Sequence, residues 1–217
     1  MDNNRTNLFI NPNVEKNSKT KYLLYSVIIL IISMTGCGDS GESKEKMGNN
    51  DTVQVSEEEQ STEIDPVDKD AVKEYDKKIY KMVSASTRVS DILVDSMGEV
   101  GDGKMSRSEL KELATQAKDA QSSLQGSLLT YDDVAKSMYL ESAHFYLTMQ
   151  WKVASDLLKF CETDNKEDLD NCGDVLRDSP DYLKTVDSAR VKYLSEQGFS
   201  EEEIVAITTA VDEEQVE

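Results

Sequence analysis

The sequence predicts an all-α protein, an antiparallel four-helix bundle with a short fifth C-terminal helix, and three observations carry that prediction. Beyond about residue 65, apolar side chains recur at spacings of three and four, the pattern that places them on one face of a helix. Helix-start signatures punctuate the same region at Asp65-Pro66, Ser106 with Glu109, Thr130 with Asp133, Ser179-Pro180 and Ser200 with Glu203. There a short polar side chain can accept from the free N–H groups of the first turn, or a proline can occupy the first helical position. No segment shows sustained strand alternation with hairpin turns, and no internal repeat is visible.

The first helix opens at Asp65-Pro66-Val67-Asp68, carries Val72, Tyr75, Ile79, Met82, Ser86, Val89 and Leu93 as one stripe, and ends near Gly98. The second starts at Ser106, whose capping box with Glu109 leads into Leu110, Leu113, Ala117, Ala120 and Leu124, with a break at Gly126. The third is expected from Tyr131 to Phe160, capped by Thr130 with Asp133. Val134, Met138, Phe145, Met149, Trp151, Val153 and Leu157 make it apolar around much of its circumference, which places it centrally. An acidic loop, Glu162 to Asn171, separates it from a fourth helix opening at Ser179-Pro180 and carrying Leu183, Val186, Ala189, Tyr193 and Leu194. Gly198 closes that helix, and Phe199 is placed to staple Ile204 across the start of the fifth. These elements amount to about 150 residues, enough for one core, and the short connections favour antiparallel neighbours.

The N-terminal region is of another kind. The apolar run Tyr22 to Met34 is 13 residues long, a rise of about 20 Å as a helix, where a bilayer core requires about 30 Å. Lys16, Lys19 and Lys21 precede it and small residues follow, the layout of a removable signal peptide. Met34-Thr35-Gly36-Cys37 resembles the lipobox of bacterial lipoproteins, although Met34 stands where that family usually has leucine. The resemblance covers about twenty residues of the chain. It implies that the thiol of Cys37 receives a diacylglycerol, that the peptide is cut before it, and that the lipidated cysteine becomes the mature N-terminus. It therefore implies a protein anchored in the cell membrane through lipid and facing its extracytoplasmic side. Three regions follow: a signal peptide at 1–36, a lipid-anchored flexible acidic tether at 37–64, and a helical domain at 65–217. The tether holds only Met47, Val53, Val55 and Ile64 as larger apolar residues, too few to bury a core.

Formal charge is −19 over 217 residues; removing residues 1–36, with four basic and two acidic side chains, makes it −21. Such a field repels nucleic-acid phosphates and anionic lipid heads, so a charged partner is expected to be basic and no nucleic acid is expected. For an exported chain, Cys161 and Cys172 suit a disulfide. Closing about 12 residues removes chain entropy worth roughly 3 kcal/mol.

Three patterns resemble chemical sites. Glu141-Ser142-Ala143-His144 has the Glu-x-x-His spacing of di-iron bundles, but that site needs two copies and His144 is the only histidine. Gly98 to Glu109 resembles the later half of an EF-hand loop, with Gly98 and Val100 where the first two carboxylates belong. Met138, Phe145, Met149 and Trp151 supply the adaptable side chains of an apolar ligand pocket, or of a core. There is no Gly-x-Ser-x-Gly turn and no phosphate-binding glycine loop, so neither catalysis, a metal nor a cofactor is expected. The expected function is binding of another protein or peptide by a membrane-anchored helical domain. The alternative is a small-ligand-binding lipoprotein with a pocket along the third helix.

Overall fold

In the computed structural model, residues 68–131 and 137–213 are described, and every regular element among them is an α-helix. They are α1 (Lys69–Gly101), α2 (Arg107–Leu129), α3 (Met138–Thr163), α4 (Lys166–Glu196) and α5 (Glu201–Glu213). The expected signal peptide and tether, with Cys37, the Asp65-Pro66 signature, and Asp133 and Val134 of the expected third helix, lie outside the described residues. The four long helices form an antiparallel bundle, with α3 packed on α2 and α4 and also on α1, and α5 resting against α1 and α4. The central place expected of the third helix follows from its buried face, which includes Tyr139, Ala143, Leu147, Val153 and Leu157.

Local chemistry fixes each helix end. Asp68 caps α1, its carboxylate accepting from Asp70 N–H and Ala71 N–H at 3.1 and 3.2 Å. Ser106 and Glu109 form the expected capping box at the start of α2, and Ser200 and Glu203 exchange the same pair of bonds before α5. Phe199 and Ile204 are buried together with Val72 and Leu194, the staple expected there. Gly198, at φ 81°, supplies the left-handed residue that ends α4.

Three boundaries differ from expectation. α2 continues through Gly126 to Leu129 because Leu128 extends its buried stripe. Thr130 therefore closes α2 rather than opening α3, donating from its hydroxyl to Ser127 O at 2.7 Å. Ser137 caps α3 instead, accepting from Leu140 N–H at 3.2 Å. The largest difference is α4, which begins at Lys166 and runs through Pro180. Asn165 caps it, accepting from Glu167 N–H at 3.1 Å. The acids read as a charge-spread loop, Glu167 and Asp168, sit in its first turn, where the helix dipole favours negative charge. Buried Cys172 and Val175 continue the stripe of Val186 and Ala189 backwards past the proline. The connection from α3 is thus two residues, turned by Asp164 at φ 61° and held by an Arg107–Asp164 ion pair.

The core is aliphatic in its centre, with Ile79, Leu93, Leu113, Leu124, Leu147 and Leu157 essentially inaccessible. Each such side chain contributes about 1.5–3 kcal/mol by leaving water. Polar pairs cross it and fix register. Ser86 and Gln121 exchange two bonds between α1 and α2 at 2.7 and 3.0 Å, and Tyr146 of α3 meets Thr87 of α1 at 2.7 Å.

Candidate functional site

The end of α2 and the start of α3 diverge around an open groove of about 480 Å³, lined by Leu128, Leu129, Ser137, Leu140, Glu141, His144, Phe145 and Thr148. Leu128 and Leu140 are buried and form its floor. Leu129 and Phe145 stand at its edge with 55% and 49% of their surface exposed, and Met138, next to Ser137, has 60% exposed. Phe145 is held from the other side by Tyr182 of α4, ring centroids 5.3 Å apart and edge to face. Glu141 and His144 bring polarity to the rim, and among the described residues no lysine or arginine lines the groove.

The structure disperses the four residues expected to form a pocket along the third helix. Phe145 alone among them lines the groove. Met138 is exposed beside it, Met149 is partly buried against the core, and Trp151 lies on the seam with α2. There the Trp151 indole N–H donates to Ser122 Oγ at 3.0 Å, with the Lys118 ammonium 5.7 Å from its ring centre. Successive helical positions turn by about 100°, so six residues carry Trp151 well away from Phe145 around the helix.

Beneath this end of the bundle lies a buried ion pair. Arg190 of α4 donates from Nε and Nη2 to the two carboxylate oxygens of Asp76 of α1 at 2.8 and 2.7 Å, and neither residue is accessible. The guanidinium stacks 3.8 Å from the centre of the Tyr80 ring. Around it Tyr75 contacts Tyr131 and Tyr193, and Tyr193 contacts Tyr139, at 5.7–5.8 Å. Burial alone would lower the Arg190 pKa, but the Asp76 carboxylate outweighs it and holds the guanidinium more firmly charged. Burial, and then the negative charge of Asp76, push the Tyr139 phenol well above its usual value. This buried pair serves as a brace between α1 and α4.

Cys161 and Cys172 are free thiols in the structure, a correction to the expected disulfide. The expected loop between them is the two-residue link plus the first turns of α4, so Cys161 lies near the end of α3 and Cys172 within α4. Burial, reinforced by the charge of Asp156, pushes the Cys172 thiol from 9.0 up to about 11. The unfolded chain releases this proton near its ordinary value and the folded chain only later. The stabilisation is therefore fully present below about pH 9 and lost as pH rises towards 11. We expect the urea midpoint to fall over this interval, by an amount worth about 2 kcal/mol. In Cys172→Ala the fall should be visibly smaller; an equal fall would place its origin elsewhere.

The remaining lookalikes do not assemble sites. Glu109 spends its carboxylate on Ser106 N–H and Oγ at 3.0 and 2.9 Å, while Gly98 and Val100 are helical. No group of side chains suited to a metal ion occurs among the described residues. Ser137, Glu141 and His144 share the groove, yet Ser137 Oγ is engaged in capping α3 and no hydrogen bond joins the three. No helix among the described residues is long and apolar enough to cross a membrane. Compared with known protein families, characterised proteins and solved structures, the chain matches none.

Proposed function

We propose that this chain is a lipoprotein held by Cys37 on the extracytoplasmic side of a cell membrane, and that its bundle docks another protein or peptide at the α2–α3 groove. The observation that carries the docking half is that Leu129 and Phe145, each about half exposed, line one groove over an apolar floor, with Met138 exposed next in sequence to the lining residue Ser137. Single exposed apolar residues are ordinary, whereas several around one concavity mark an interaction surface. The anchoring half rests on the lipobox resemblance at Met34 to Cys37. Among the described residues the rim offers no nucleophile joined to a base, which favours binding over catalysis.

A volume of about 480 Å³ is also in the range of small-ligand sites, and that reading competes for the same groove. A photo-crosslinking residue at position 145 of the full-length chain in intact cells separates the two. Docking predicts an adduct with a second polypeptide, identifiable from its fragments, and none from the same residue at Val94, which is exposed near the far end of α1. Absence of any polypeptide adduct at 145 would contradict docking and favour a small ligand.

A further inference from the structure

We propose that the groove's occupant is a cationic amphipathic segment of another protein, with apolar side chains against Leu128, Leu140 and Phe145 and lysine or arginine side chains against an acidic rim. This rests on the docking function above and adds the chemistry of the partner. Glu141 lines the groove without an ion-pair partner among the described residues. On the far side of Phe145, the Tyr182 hydroxyl donates to Asp178 at 3.4 Å, which places a second exposed carboxylate beside the same aromatic pair. Asp174 and Asp181 share the face of α4 with Asp178, but they are paired with Arg177 and Lys184, whereas Asp178 has no ion-pair partner among the described residues. Among the described residues no lysine or arginine is in the lining, so the groove is apolar within, with the Glu141 carboxylate in its lining and Asp178 behind the Phe145–Tyr182 pair.

Charge also discriminates among possible occupants. The chain's own residues 37–67 carry nine acids against two lysines, and residues 214–217 hold two acids and no base. A second copy brings the same excess, −19 for the whole chain. All three would set like charge against Glu141 and Asp178, which costs affinity, whereas a cationic segment gains both attraction and faster encounter.

The test uses the lipidated chain in zwitterionic nanodiscs, with empty discs as blank, and three labelled peptides of one length: leucine/lysine amphipathic, leucine/glutamate amphipathic, and serine/lysine. The leucine/lysine peptide should bind best, and more weakly as salt is raised. Phe145→Ser and Glu141→Lys should each weaken it by about tenfold, and Val94→Ser should leave it unchanged. Both altered side chains are exposed, and an unchanged melting curve establishes that each variant is folded. Equal binding of the leucine/glutamate peptide, indifference to Phe145→Ser, or concentration-dependent self-association blocked by Phe145→Ser would overturn the proposal. If the leucine/lysine peptide fails to bind while crosslinking at position 145 still yields an identified polypeptide, the cationic preference is wrong and docking stands; if both fail, both are wrong.

Discussion

Replacing Arg190 by methionine is expected to destabilise the bundle by about 3–5 kcal/mol, because it strands the Asp76 carboxylate in the core. For a domain of this size the melting temperature should fall by about 10–15 °C. The cost arises less from the lost attraction than from a buried charge with no partner, so removing both members should behave differently. Asp76→Leu combined with Arg190→Met should recover most of the loss, since an apolar pair of similar volume replaces a desolvated ion pair. Thermal melts of the single and double variants decide it. If the double variant is no better than Arg190→Met, the pair contributes through its own attraction and the tyrosines cannot close over an apolar substitute.

Tyr139→Ala should be of similar severity, about 3–5 kcal/mol, because it empties a fully buried aromatic site between α1 and α4. Tyr139→Phe should fall within about 1 kcal/mol of the parent and could exceed it. Its hydroxyl is buried without a well-formed hydrogen bond, and the adjacent Asp76 charge opposes its ionisation. Denaturant unfolding of the two variants separates packing from polarity at one position. A loss in Tyr139→Phe as large as in Tyr139→Ala would show that the hydroxyl is the stabilising group.

Why these residues dominate is visible in how the helices approach. α1 and α4 make few close backbone contacts, and long side chains span the space between them. Asp76 and Arg190 are 114 residues apart in sequence. Nothing local in either segment signals the pairing, and Asp76 reads as one more surface acid in a chain with 43 acidic residues. Tyr75 and Tyr193 are equally silent, because each satisfies its own helix's apolar stripe.

The helices themselves were largely legible. Val72 to Leu93, Leu110 to Leu124 and the Ser106 and Ser200 capping boxes are local signals, and tertiary packing agrees with them. Legibility failed where one local signal competes with another. Ser179-Pro180 has the form of a helix start, but the preceding turns from Asn165 are capped and carry Cys172 and Val175 into the core, so the helix passes through. Thr130 can open or close a helix equally well, and Ser137 settled the matter. The groove was half legible: Phe145 stood out as an aromatic, but its exposure depends on where α2 ends and on Tyr182, neither of which a stripe on α3 reveals.

Which partners can reach that groove depends on where the bundle is held, and under the proposed lipidation Cys37 sets that. The most direct measurement is membrane fractionation of the wild-type and Cys37→Ala chains, combined with the intact mass of the membrane-bound wild type. The expected mass is that of residues 37–217 bearing a diacylglycerol, and Cys37→Ala should lack both cleavage and lipid. A wild-type mass equal to the full 217-residue chain without lipid, with Cys37→Ala behaving identically, would contradict the lipoprotein assignment.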